Sequence, residues 1–281
     1  MIYTRLHGFL GNQMFQYAAA ADLAARLGVP VALDPRSALA KGQGNLTDIF
    51  HLPVAVPAHL PPDKDKHPLA YVAWRLLGRK PTMHREKSLA YDPAIKTWGD
   101  ESYLHGYWQS DKYFASVADF LREVFVMTPA MSSENARMAE QIAAGPSVAL
   151  HVRRGDYVAL GATAVCDQAY YTAALKAVTD GLPDAPKVFV FSDDPMWARD
   201  NLDVPFEKVV VDLNGRKTAH EDMRLMSLCQ HNVIANSTFS WWSAWLNKNP
   251  GKRVAAPTRW FANDHQHNPD ILPTDWIAIT P

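Results

Sequence analysis

Apolar positions along this chain gather into short, nearly continuous runs, each closed by polar or turn residues. Val148-Ala149-Leu150-His151-Val152 follows Gly145-Pro146 and stops at Arg153-Arg154-Gly155-Asp156-Tyr157. Lys187-Val188-Phe189-Val190-Phe191 stops at Ser192-Asp193-Asp194-Pro195, and Asn232-Val233-Ile234-Ala235-Asn236 runs into Ser237-Thr238-Phe239-Ser240. Runs of this length and β-branched content read as buried strands. Residues 208–212 and 253–257 read the same way, the latter as the last strand. Helical patterns at 170–179, 197–202 and 223–229, and one beginning at Trp241-Trp242, lie between the strands. That alternation predicts a parallel sheet covered by helices on both faces.

The first half is less regular. A strand from Ile2 enters a glycine-bearing turn, Gly8-Phe9-Leu10-Gly11-Asn12-Gln13, followed by an alanine-rich helix from Met14 to Leu27. Residues 31–33 form the next strand. Prolines then break the pattern between Lys41 and Arg85, with a short apolar helix at 71–77 as a lid or an acceptor-side wall. Helices are expected at 116–125 and 131–143, and Ala144-Gly145-Pro146 marks the best domain boundary.

Composition narrows the class. The chain has 281 residues, 48% hydrophobic and 20% charged, with a formal net charge of −1. It is long enough for two domains and has no disorder signature. Its cations are scattered rather than striped, which argues against a nucleic-acid partner. No apolar run reaches the roughly 18 residues of a spanning helix, and the strand-like start carries no signal-peptide pattern. These features lead to the expectation of a cytoplasmic protein, with peripheral association at the inner face of the membrane left open. Cys166 and Cys229 are too few for a disulfide framework or a zinc site, so both are expected to be reduced.

Candidate chemistry concentrates where strands end, because ligands of open α/β sheets sit outside the carboxyl edge. Arg153 and Arg154 offer forked donors suited to a phosphate; the plain alternative is an ion pair with Asp156. Ser237, Thr238, Phe239 and Ser240 open a helix, where hydroxyls cap the first turn and the same N–H groups take an anion. Asp193 and Asp194 either cap the helix after Pro195 or accept two N–H bonds from a guanine. Gly8, Gly11 and Asn12 form either an anion-binding turn or a simple tight turn. Asp63-Lys64-Asp65 has an Asp-x-Asp spacing, but it lies in a proline-rich loop and reads as a solvated turn. The aromatic stretch Tyr107-Trp108-Gln109-Ser110, next to His105, suits a sugar or forms core. A dinucleotide fingerprint Gly-x-Gly-x-x-Gly is absent, which disfavours a redox enzyme.

His151-Val152-Arg153-Arg154-Gly155-Asp156-Tyr157 resembles the first signature of the α1,2/α1,6-fucosyltransferase superfamily. Gly8-Phe9-Leu10-Gly11-Asn12-Gln13-Met14-Phe15-Gln16-Tyr17-Ala18 resembles the opening of the α1,2-fucosyltransferases, glycosyltransferase family 11. The resemblance runs from about Leu6 to Pro257. It implies a GT-B-type α/β fold with two Rossmann-like domains facing a cleft. Residues 1–145 would form the acceptor side, 146–262 the GDP-fucose side, and 263–281 a tail packing across them. It implies inverting transfer of L-fucose from GDP-β-L-fucose to the 2-hydroxyl of a terminal β-galactoside, in the synthesis of a bacterial surface glycan, with no metal or other cofactor. Donor-binding positions would be Gly8, Gly11, Asn12, His151, Arg153, Asp193, Asp194, Ser237, Thr238, Phe239 and Ser240, and Arg153, Arg154 and Asp156 would serve catalysis. An α1,6-type linkage and a non-catalytic carbohydrate-binding relative remain as alternatives. The α1,6 relatives carry a glutamate base in the loop after the arginines. Here Tyr157-Val158-Ala159-Leu160-Gly161-Ala162 has no acidic residue, so Asp156 either acts as a weak base or orients an arginine.

Overall fold

The computed structural model describes residues 1–63, 66–77, 82–154, 166–261 and 267–281. They divide into two compact units, Met1–Thr128 with Pro269–Ile271, and Pro129–Asn268 with Leu272–Pro281.

In the first unit, β1 (Ile2–Arg5) leads to α1 (Leu10–Leu27), β2 (Val31–Asp34), α2 (Arg36–Ala40), β3 (Val54–Ala55), α3 (Pro68–Leu77), β4 (Met83–Arg85), β5 (Tyr103–His105) and α4 (Ala118–Val124). The five strands are parallel, in the order β3-β2-β1-β5-β4. Strand order therefore reverses between β1 and β5. Small residues Ala18 to Ala21 let α1 lie close on the sheet, with Met14, Phe15, Tyr17 and Leu23 buried beside them. The helix closes at Gly28, whose left-handed φ of 67° suits a residue without Cβ.

The second unit begins with α5 (Ser133–Ala143), followed by β6 (Ser147–Val152), α6 (Gln168–Thr179), β7 (Lys187–Ser192), α7 (Pro195–Asn201), β8 (Lys208–Val211), α8 (Ala219–Leu228), β9 (His231–Val233), α9 (Thr238–Leu246), β10 (Val254–Pro257) and β11 (Ile277–Ile279). Its parallel sheet runs β11-β10-β9-β6-β7-β8. Alternate residues of β6 serve opposite faces, as the pleat requires. Val148, Leu150 and Val152 pack with Tyr170, Tyr171 and Leu175 of α6. Ala149 packs on the other face, in a cluster with Ile142 of α5 and Leu225 and Met226 of α8. Strand order reverses between β6 and β9, so both units have a topological switch point at which ligands of such sheets bind.

Several elements differ from the sequence expectation. Residues 253–257 are not the last strand, because β11 pairs beyond them in parallel register, Ala255 against Ile277. α1 starts at Leu10 rather than Met14: Asn12 N and Gln13 N already donate to Phe9 O at 2.9 and 3.2 Å, placing Gly11, Asn12 and Gln13 in its first turn. α9 starts at Thr238, ahead of Trp241. The division between units falls at Thr128–Pro129, ahead of Ala144-Gly145-Pro146, because α5 packs on α8.

Candidate active site

At the switch point of the second sheet, the carboxyl ends of β6 and β9 lie side by side. Ser237 has extended backbone and caps α9, its Oγ accepting from Phe239 N at 3.3 Å. Arg153 leaves β6 toward the same helix start, and its Nη1 donates to Ser237 Oγ at 3.4 Å. A guanidinium and a helix N-terminus thus share one edge, the combination that attracts a phosphate. Thr238 and Phe239 are half-buried in that first turn, while Ser240 is buried. His151 lies behind them, with Nδ1 2.9 Å from Ser240 Oγ and its ring 5.9 Å from that of Phe239. Burial, reinforced by Arg153, pulls the His151 pKa down to about 4, so the ring is neutral at pH 7.

Arg154 takes a different course. Its guanidinium lies 3.7 Å from the Trp197 ring centroid, and its Nε is 3.6 Å from Asp194 Oδ2. Stacking on an indole is a favourable use of a guanidinium. Its main-chain N–H donates to Asp193 Oδ1 at 2.8 Å, tying the end of β6 to the end of β7. Asp194 caps α7, accepting from Trp197 N at 3.1 Å. The alternative ion pair of Arg153 or Arg154 with Asp156 falls outside the described residues; among these, Arg154 meets Asp194. Asp156, with Gly155 and residues 157–165, lies outside the described residues, as do Lys64 and Asp65 of the Asp-x-Asp stretch. Among the described residues, no group of three or more His, Cys, Asp or Glu could hold a metal ion. Cys166 and Cys229 are buried free thiols.

The first unit builds its own switch point. Gly8 has φ +78°, and a Cβ there would sit 2.3 Å from Asn12 Nδ2, so the turn tolerates only glycine. The amides of the Gly-Asn-Gln stretch hold this turn together. Gln13 Nε2 donates to Gly8 O at 2.9 Å, and Gln16 receives the His7 N–H at 3.0 Å while donating to His7 O at 3.0 Å. Asn12 Oδ1 accepts from Gln109 Nε2 at 2.9 Å. Gly11 is buried in the helix.

The His7 ring lies 4.6 Å from that of Tyr107 and 5.9 Å from that of His105. Burial, with Arg5 nearby, lowers both histidines to about 4.

Two carboxylates at this edge escaped the sequence reading of the site. Glu86, just past β4, accepts from Tyr107 N at 2.7 Å and Trp108 N at 2.9 Å. Burial lifts its pKa above the ordinary carboxylate value, against those two N–H bonds. Asp34, closing β2, takes two 2.8 Å bonds from Arg36 and one of 2.8 Å from the Tyr103 hydroxyl. Burial alone would raise Asp34, but those bonds outweigh it and its pKa is depressed. A polar residue ending an apolar strand is a signal that was present for Asp34. Glu86 follows a three-residue strand with no readable period.

Residues 91–280 match the family model of glycosyl transferase family 11. The chain belongs to this family. It is 35% identical over 181 residues to an alpha-1,2-colitosyltransferase of Escherichia coli, covering 62% of this chain and 61% of that protein. It is 28% identical over 251 residues to galactoside alpha-(1,2)-fucosyltransferase 1 of Rattus norvegicus, covering 85% of this chain and 61% of that one. The chain thus spans about three fifths of the length of these two relatives. Among solved structures it resembles the NodZ alpha-1,6-fucosyltransferase, from Bradyrhizobium, soaked with GDP-fucose. The TM-score is 0.51 at 15% identity, over 87% of this chain and 91% of that one. The family member therefore has the α/β, two-sheet GT-B architecture of such transferases.

Proposed function

We propose that this protein is a galactoside 2-α-L-fucosyltransferase. It moves L-fucose from GDP-β-L-fucose to the 2-hydroxyl of a terminal β-galactoside with inversion, on the cytoplasmic side and without a metal. The observation that carries this reading is the placement of Arg153 beside the first turn of α9 at the switch point of the second sheet. Support also comes from the alpha-1,2 linkage in the names of the two relatives and from the GDP-fucose soaked into NodZ.

The chemistry follows from where charge develops. As the glycosidic bond to phosphate breaks, the departing GDP gains negative charge and the sugar becomes oxocarbenium-like. Preorganised donors aimed at the diphosphate lower that barrier. Arg153 and the N–H groups opening α9, from Thr238 to Ser240, fill this role. Arg154 shapes the edge from its place on Trp197, while Asp193 or Asp194 reads the guanine. Asp156 orients an arginine or acts as a weak base, and the neutral His151 holds Ser240 without adding charge. The second unit binds the donor, Gly8, Gly11 and Asn12 of the first unit also serve donor binding, and the first unit presents the acceptor at the edge of His7, His105 and Tyr107.

The colitosyltransferase relative favours a second reading of the donor sugar, colitose in place of fucose. Melting curves with GDP, UDP, CMP and NAD test the nucleotide, since a ligand of the native state raises its melting temperature. GDP alone should raise it. Turnover of GDP-fucose then decides the sugar. Stabilisation by UDP or CMP in place of GDP would overturn both readings, and exclusive use of GDP-colitose would overturn the first.

A further inference from the structure

We propose that α3 docks this protein on an anionic lipid surface. Leu69, Val72, Leu76 and Leu77 of this helix are 85%, 50%, 78% and 90% exposed. At 100° per residue, Val72, Leu76, Leu69, Ala73 and Leu77 follow one another around an unbroken arc of about 140°. No polar residue interrupts that arc. Tyr71 and Trp74, on the opposite side, are half-buried, with rings 5.8 Å apart. Each of the other described helices exposes at most one large hydrophobic residue: Leu39 in α2, Phe120 in α4, Met196 in α7 and Leu228 in α8. Four on ten residues of α3 form a patch rather than the usual scatter.

Charge identifies the occupant. In sequence, residues 63–87 around α3 contain Lys64, Lys66, Arg75, Arg79, Lys80, Arg85 and Lys87 against Asp63, Asp65 and Glu86, a local net of +4 in a chain whose total is −1. An apolar helical face flanked by lysine and arginine is the pattern that lies in the headgroup region of an anionic bilayer. A second copy of the chain fits less well. A two-fold contact would set one +4 segment against another. Five side chains on a ten-residue helix also fall short of the roughly 1,200 Å² that a stable interface buries. Among the described residues no helix is long and apolar enough to cross a membrane, so attachment through α3 is attachment from one side. The inference is independent of the sugar transferred.

The test is co-sedimentation of the full chain with vesicles of phosphatidylcholine alone or with about 30 mol % phosphatidylglycerol. Binding should be at least about tenfold tighter to the anionic vesicles and should be lost at about 0.5 M salt. Leu69→Ser with Leu76→Ser, or Leu77→Ser alone, should weaken it by about tenfold per side chain, and Lys66→Ala by about fivefold. The melting temperature in solution should not change, since these side chains are already exposed. Equal binding to both vesicle types, or variants that bind like the wild type, would overturn the proposal. So would a concentration-dependent dimer in sedimentation velocity that the leucine variants abolish, which would assign the face to a second copy.

Discussion

The main-chain N–H of Arg154 donates to the Asp193 carboxylate at 2.8 Å, joining the ends of β6 and β7. That bond leaves Arg153 directed toward Ser237 and Arg154 directed along Trp197, so two adjacent arginines serve different ends. If Arg153 is the donor that meets the departing phosphate, Arg153→Ala lowers kcat by about 10²–10³ while the fold survives. Arg153→Lys restores only part of it, because the fork is lost. Arg154→Ala acts on the stability of the edge as well, lowering the melting temperature through the lost contact with Trp197. Steady-state kinetics and thermal melts on the same samples separate the two. Equal behaviour of the two alanine variants would remove the distinction.

The lowered pKa values, near 4, of His7, His105 and His151 predict a fold that loses stability in acid. For His151 the folded state disfavours the protonated ring, so the unfolded chain binds more protons between about pH 6.5 and 4. Its contribution is therefore complete above about pH 6.5 and falls as pH drops toward 4, by about 3 kcal/mol for the buried ring. Urea midpoints measured from pH 7 to pH 4.5 should decline for the wild type. His151→Gln keeps a partner for Ser240 and should flatten part of that decline. Parallel slopes would show that His151 titrates normally.

Glu86 grips two successive N–H groups, and Gly106 makes room for it: a Cβ there would lie 2.4 Å from Glu86 Cβ. The grip holds Trp108 at φ +56°, a left-handed conformation costly for an indole-bearing residue. Glu86→Gln replaces one acceptor by a donor and should cost about 1–3 kcal/mol, and Gly106→Ala should cost about the same through overpacking. If Tyr107 belongs to the acceptor edge, both variants also raise the acceptor KM more than that of the donor. Chemical denaturation and two-substrate kinetics check each part.

Much of the second sheet was legible because β6, β7, β8 and β10 are largely apolar runs of four to six residues, and the three-residue β9 continues into the buried Ile234 and Ala235. Arg153, Asp193 and Ser237 stood out for the same reason: each marks where such a run stops. β3, β4, β5 and β11 have two or three residues each, too few to show a period, and they form because neighbours pair with them. Gly11 and Asn12 read as a loop, yet they lie in helix because Phe9 O accepts two N–H groups and Gln13 and Gln16 fasten the turn. Trp197 beneath Arg154, and His7 against Tyr107, are meetings of residues far apart in sequence. No local pattern announces them.

If Arg153 and the α9 N-terminus supply the charge stabilisation, catalysis needs no metal. Turnover should persist in excess EDTA. A tenfold or greater loss that Mg²⁺ or Mn²⁺ restores would contradict it and return attention to Asp63-Lys64-Asp65.

The purified protein should be incubated with GDP-β-L-fucose and a β-galactoside such as lactose, and the product linkage read by two-dimensional NMR. A galactoside 2-α-L-fucosyltransferase gives an α-anomeric fucose signal with a through-bond correlation across the glycosidic oxygen to C2 of galactose. A correlation to C6, a β-anomer, or no product while GDP still binds would contradict it.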